Sequence, residues 1–157
     1  MVGFVWWYEM PIGMVGIGED GGGISHVLLP HEKGPTGYER KETPLIAKAH
    51  SQLAEYFAGT RQAFDLALNA RGTAFQRAVW AALLEIPYGV TCSYKDVAMR
   101  IGNPNASRAV GMANNRNPIA IIVPCHRVVG ADGRLVGYGG GLHIKTFLLE
   151  LEGRVKK

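Results

Sequence analysis

The stretch Asn69-Ala70-Arg71-Gly72 divides the 157-residue chain into two differently patterned halves, and this division limits the folds open to it more than any other feature. Ahead of it, Val, Ile, Phe, Trp and Tyr mix with glycine clusters at Gly16, Gly18 and Gly21 to Gly23 over the first forty residues, which reads as short strands joined by turns. Thr43-Pro44 has the form of an N-cap with proline at the first helical position, and Ile46, Ala49, Leu53 and Phe57 recur at helical spacing until Gly59. Beyond the divide, helix signals dominate. Thr73 to Gln76 and Ser93 to Asp96 both have capping-box form. Phe75, Val79, Leu83 and Ile86 mark one helical face that ends before Pro87, and Val97 and Ile101 mark another stopped by Gly102. Asn105 is placed to cap a third helix running from Ala106 to Ala113, so residues 93–114 read as a helix-turn-helix. The expected fold class is α+β: a small N-terminal antiparallel sheet with one helix over 1–72, then a mainly helical, winged-helix-like domain over 73–157.

The charge follows the same division. Residues 1–72 hold six basic and eight acidic side chains, a net −2, whereas residues 73–157 hold eleven basic and five acidic, a net +6. Such asymmetry points to a polyanion or an anionic surface as the partner of the second half. Hydrophobic residues at 47 % and charged residues at 19 % exclude a disordered chain. No apolar run approaches the roughly 20 residues of a membrane span, and the segment Met1 to Met10 lacks the leading basic residues of a signal peptide. A soluble cytoplasmic protein, nuclear if the source is a eukaryote, is expected.

Only Cys92 and Cys125 are present, which rules out a disulfide framework and a four-cysteine zinc site. Cys92, between Thr91 and Ser93, reads as a small buried hydrophobe. Cys125 differs. Asn117-Pro118 is followed by the apolar run Ile119 to Val123, long enough for one buried strand, which delivers Pro124-Cys125-His126-Arg127-Val128. A cysteine fixed by proline and flanked by His126 and Arg127 is a candidate nucleophile, with His126 as base and a third group needed to orient the imidazole. His26, His31 and His50 are isolated and read as structural or surface residues.

These residues carry a resemblance. Pro124 to Val128, with Asn117-Pro118 before it and Gly137-Tyr138-Gly139-Gly140-Gly141-Leu142 and Leu151-Glu152-Gly153 after it, resembles the O6-alkylguanine-DNA alkyltransferases. The likeness extends back through Ile86 to Gly89, Ser93-Tyr94 and Arg108 to Gly111, and more loosely through Tyr56 to Gly59. It implies repair of double-stranded DNA containing O6-alkylguanine, and less efficiently O4-alkylthymine, by transfer of the alkyl group to the protein's own Cys125. The protein would be consumed in one turnover, would act as a monomer and would need no cofactor. By the same resemblance, His126 takes the thiol proton through a water, Glu152 orients and charges the imidazole, Tyr94 donates to the guanine ring and Asn117 braces the active-site loop. Arg108 would enter the duplex in place of the extruded nucleotide, with Ser107, Ala106, Ala109 and Gly111 giving a close approach to the minor groove. The backbone of Cys125 and Val128 and the loop at Tyr138 and Gly139 would form the base pocket. Two departures bear on this: some relatives carry serine or arginine where Gly139 stands, which bears on alkyl-size preference, and this chain lacks the cysteines of the N-terminal zinc site found in others, so no metal is expected.

Three rivals are weighed against that reading. A non-catalytic lesion-binding protein of the same scaffold would replace the acceptor cysteine, and Cys125 is present. A cysteine hydrolase would not place nucleophile and base side by side in sequence. A sequence-specific regulator would need more base-reading side chains than Arg108, Ser107, Asn114 and Asn115.

Overall fold

The computed structural model describes residues 2–138 and 140–153. Gly139 lies outside the described residues. The chain forms two compact units, and separating them takes more than one cut: residues up to Arg71 are joined by Pro118–Ala120, and Gly72–Asn117 are joined by the residues from Ile121 onward.

The first unit contains β1 (Gly3–Met10), β2 (Gly13–Glu19), β3 (Ile24–Leu28), β4 (Tyr38–Arg40) and α1 (Pro44–Phe57). The strands lie in the order β3-β2-β1-β4. β1 to β3 form an antiparallel meander, with Tyr8 opposite Val15 and Ile17 opposite Val27. β4, however, pairs parallel to β1, Phe4 opposite Glu39. The sheet is therefore mixed, not antiparallel as the turn pattern suggested, because the chain leaves one edge after β3 and returns at the far edge instead of making a third hairpin. Trp7 faces Gly16 across the β1–β2 ladder, and a Cβ at Gly16 would meet the indole ring at 2.8 Å, so glycine makes room for the tryptophan. The outer edge of β3 is covered by two short segments. The Ile24 N–H donates to the Ala67 carbonyl and the Val27 N–H to the Pro118 carbonyl, which removes a free strand edge.

α1 starts as its sequence dictates: the Thr43 side chain accepts from the Ile46 N–H with Pro44 at the first position. Ile46, Ala49, Leu53 and Tyr56 are fully buried, and with Val15, Ile17, Ile24 and Val27 they form the core of this unit. Tyr56 takes the place expected for Phe57, which is half-buried.

The second unit contains α2 (Ala74–Leu83), β5 (Cys92–Ser93), α3 (Tyr94–Arg100), α4 (Ser107–Asn115), β6 (Val128–Val129) and α5 (Leu142–Leu151). Both capping boxes form: Thr73 with Gln76 and Ser93 with Asp96 exchange reciprocal side-chain-to-backbone bonds. α2 and α3 both pack against α4, and the Trp80 indole N–H donates to the Ala113 carbonyl at 2.8 Å, tying α2 to α4. α3 and α4 with the turn at Gly102 form the helix-turn-helix. Asn105 does not cap the second of these helices. Ala106 stands at the N-cap without a side-chain bond, because the turn closes through the Ala106 N–H to the Asn103 carbonyl and carries Asn105 past the cap position.

The run Ile119–Val123 is not a strand. Val27 pairs with Ile119 only as an isolated bridge, and residues 120–122 form a buried turn with Ile121 at a φ of 71°. Continuous apolarity reports burial, which a turn packed in the interior satisfies as well as a strand does. Among the described residues, no helix is long and apolar enough to cross a membrane.

Candidate active site

Cys125 follows that buried turn as the first residue of a single 3-10 turn, Cys125–Arg127, which ends where β6 pairs in parallel with β5. All three residues are buried. The extended conformation expected around Cys125 would send His126 to the opposite side, whereas the tight turn keeps both side chains inside the same unit. Cys125 is gripped at both its backbone and its sulfur. Asn117 Nδ2 donates to the Val123 carbonyl at 2.8 Å and to Cys125 Sγ at 3.2 Å, and Asn114 Nδ2 reaches the Cys125 carbonyl at 3.3 Å. Burial pushes the thiol pKa up; the Asn117 amide, the Lys145 ammonium and the Tyr138 hydroxyl oppose that shift without reversing it.

His126 Nε2 meets Glu152 Oε2 at 2.8 Å with both side chains fully enclosed. The carboxylate partner fixes the tautomer with hydrogen on Nε2, which leaves Nδ1 as the basic atom. Nδ1 is buried and has no hydrogen-bond partner among the described residues. Burial pulls the imidazole pKa down, and Glu152 only partly restores it. Burial thus favours the uncharged form of both the thiol and the imidazole.

Arg127 departs from the role that its position beside the cysteine suggested. It does not face the sulfur as a countercharge. Its guanidinium turns to Glu152, with Nε to Oε1 at 2.9 Å and Nη2 to Oε2 at 3.1 Å, while Nη1 donates to the Ile86 carbonyl at 2.7 Å. Tyr88 lies 5.7 Å from the guanidinium, and the Gly89 N–H adds a donor to Oε1 at 3.3 Å. The Ile86-Pro87-Tyr88-Gly89 segment thus holds the Arg127–Glu152 pair, which in turn positions His126.

Tyr94, in the first turn of α3, donates to the Val136 carbonyl at 3.1 Å, and burial followed by its proximity to Cys125 raises its pKa. Tyr138 acts on the same sulfur. The Val128 carbonyl accepts from Lys145 Nζ at 2.6 Å. Cys125, His126, Glu152, Asn117, Tyr94, Tyr138 and Val128 therefore gather in one place. The helix-turn-helix residues form a separate group: Arg108 and Ala109 are exposed on the first turn of α4, Ala106 and Ser107 are half-buried, and Gly111 passes the Tyr94 ring, which its Cβ would approach at 3.8 Å. Cys92 is half-buried in β5, its thiol pKa raised by burial and by Asp96. No group of three or more His, Cys, Asp or Glu side chains could hold a metal ion among the described residues.

Residues 74–154 match the family model of the 6-O-methylguanine DNA methyltransferase DNA-binding domain. The chain is 52 % identical over 150 residues to the methylated-DNA--protein-cysteine methyltransferase of Methanosarcina acetivorans, covering 93 % of this chain and 96 % of that protein. The chain belongs to this methyltransferase family. The Bacillus subtilis constitutive enzyme of the same name is 47 % identical over 151 residues, 92 % of each chain. The fold agrees: the crystal structure of Mycobacterium tuberculosis OGT in complex with DNA superposes with a TM-score of 0.90 at 47 % identity, covering 95 % of this chain and 92 % of that one. An O6-methylguanine DNA methyltransferase from Methanococcus jannaschii gives a TM-score of 0.66 at 28 % identity, covering 95 % and 93 %.

Lys145, the Asn114 bond to the Cys125 carbonyl and the Glu152-directed role of Arg127 were not read from the sequence. For Lys145 a signal existed: it lies three and four residues before Leu148 and Leu149 and next to Ile144, on the stripe that α5 buries.

Proposed function

We propose that this cysteine methyltransferase moves the alkyl group of O6-alkylguanine, and less efficiently of O4-alkylthymine, from double-stranded DNA to Cys125 in one irreversible turnover, acting as a monomer. The carrying observation is the buried Cys125 sulfur held by Asn117 at 3.2 Å beside a His126–Glu152 pair whose basic Nδ1 has no partner among the described residues. Through one bridging water, the thiol proton passes to Nδ1, and the imidazolium so formed is stabilised by Glu152. The thiolate attacks the alkyl carbon; the sulfur–carbon bond forms as the carbon–O6 bond breaks, and the electron pair passes to the guanine, which ends by taking up a proton. A thioether has no leaving group that water can displace under these conditions, so the protein does not turn over.

Negative charge grows on the departing guanine, and a donor at its ring nitrogen lowers the barrier. Tyr94 supplies that donor, its hydroxyl bonded to the Val136 carbonyl and near enough to Cys125 for the sulfur to raise its pKa. The Cys125 and Val128 carbonyls and Tyr138 complete the base pocket. A stacked guanine cannot present its O6 substituent to a buried sulfur, so the nucleotide leaves the helix. Arg108, exposed at the start of α4, fills the gap, and the small residues Ala106, Ser107, Ala109 and Gly111 permit close approach to the minor groove. The DNA complex solved for the mycobacterial relative supports DNA as the partner.

Incubation with a duplex containing one O6-methylguanine, followed by intact-protein mass spectrometry and peptide mapping, tests the reading. One methyl group per protein on Cys125, independent of DNA excess, is expected. Repeated turnover, or lesion binding without mass gain, would overturn it; the latter result would establish the non-catalytic alternative.

A further inference from the structure

Lys145 is a fully buried lysine with no carboxylate against it among the described residues. Its Nζ donates to two carbonyls, Val128 at 2.6 Å and Val136 at 2.9 Å, and stands 6.0 Å from the Tyr138 ring. The one buried carboxylate of the site is already engaged: Glu152 takes two bonds from Arg127 and one from His126. Carbonyl dipoles alone offset a buried ammonium poorly, and burial draws the Lys145 pKa down to about 8, with Cys125 the one group that works against this. With Cys125 as a thiol, the enclosed charges are Glu152, Arg127 and Lys145, one cation in excess. Ionising the sulfur balances them.

The two carbonyls also matter by position. Val128 ends the turn that carries Cys125, and Val136 precedes Gly137-Tyr138, so Lys145 fastens the two ends of the intervening loop to α5. The Val136 carbonyl is at the same time the acceptor of the Tyr94 hydroxyl. When Tyr94 turns its proton to a substrate, Lys145 keeps that carbonyl satisfied.

We propose that Lys145 is a positioning residue for alkyl transfer: its ammonium holds the Val136 carbonyl, and through it Tyr94, beside Cys125, and is the cation that the thiolate faces once formed. This rests on the reading of Cys125 as acceptor. The titratable groups facing the ammonium are Cys125 and His126 from the 3-10 turn and Tyr138 from the loop, with Tyr94 of α3 reached through Val136.

The test follows Cys125 modification by iodoacetamide against pH in the full chain, with no DNA present, alongside single-turnover repair of an O6-methylguanine duplex. Lys145→Met removes charge and donor; Lys145→Gln keeps a donor and removes the charge. Both should move the midpoint of Cys125 modification up by at least about one pH unit, a rate about tenfold lower on the rising limb. In Lys145→Met, adding Tyr94→Phe should cost repair little more, whereas in Lys145→Gln it should cost as much as in the parent. A variant with parent-like circular dichroism and a parent-like midpoint overturns the proposal, and Lys145→Gln decides it if Lys145→Met does not fold. Failure of the parent to take a methyl group from DNA would sink the alkyl-transfer reading instead, and the iodoacetamide profile is independent of that result.

Discussion

Replacing Glu152 by Gln removes one charge from an enclosed set of three side chains and should separate the stability of the site from its chemistry. Glu152 accepts hydrogen bonds from Arg127 at both carboxylate oxygens, from His126 and from the Gly89 N–H. Its side chain is fully enclosed, and that of Arg127 is 7 % exposed. A glutamine of the same shape can still accept one or two of these bonds, but the guanidinium keeps its formal charge in a buried place with neutral partners such as the Ile86 carbonyl and the Tyr88 ring and no carboxylate. Breaking a buried pair from one side costs about 3–5 kcal/mol. At roughly 2–4 °C per kcal/mol for a chain of this size, the melting temperature should fall by roughly 6–20 °C. The cost arises mainly from stranding Arg127, so Arg127→Met in the same chain should recover much of it, because a buried pair exchanged for neutral side chains of similar volume is often nearly neutral. Thermal unfolding followed by circular dichroism on both single variants and the double variant completes the cycle, with an expected coupling of about 2 kcal/mol or more. Alkyl transfer should stay low in the double variant, since His126 has lost the carboxylate that stabilises its protonated form. Additive stability costs, or transfer restored together with stability, would refute the account of Arg127 as the holder of Glu152.

Asn117→Ala removes the amide that holds the Cys125 thiol pKa down, so the iodoacetamide midpoint of Cys125 should move to higher pH; an unchanged midpoint would show that the 3.2 Å contact has no electrostatic consequence. Arg108→Ala, at an exposed position, should change stability by no more than about 0.5 kcal/mol. It should slow repair of a duplex at least tenfold more than transfer from free O6-benzylguanine, and equal losses on the two substrates would contradict a role in extrusion. In the first unit, burial tends to raise the Asp20 pKa, but Asn69, the Gly22 N–H and Arg71 outweigh it and leave the carboxyl lowered. A carboxyl lowered in the fold contributes stability fully above the ordinary value of about 4 and loses it as pH falls through the lower folded value. Asp20→Asn should therefore flatten the fall of the urea midpoint below about pH 4, and parallel curves for the two proteins would exclude that contribution.

Local signals wrote much of this fold and part of its site. Thr43, Thr73 and Ser93 each cap the helix their spacing indicated, because a cap is decided within four residues of chain. The direction of β4 and the buried turn after Pro118 depend on what the chain meets far away in sequence, and apolar composition alone cannot distinguish a buried turn from a buried strand. The same limit governs charge. The eleven cations of residues 73–157 enter a sequence sum alike, yet among the described residues the structure turns Arg127 and Lys145 inward. Arg127 pairs with Glu152 beside His126, whose imidazole is pushed toward the neutral form by burial, with Arg127 adding to that shift; Lys145 bonds the Val128 and Val136 carbonyls and faces Cys125. The basic surplus of this half therefore serves two physical ends. On the proposed reading, exposed cations such as Arg108 raise affinity for a polyanion at a range set by ionic strength, while the buried pair acts on one cysteine in surroundings that salt screens far less. Raising the salt concentration should accordingly weaken duplex binding and leave the pH midpoint of Cys125 modification where it was.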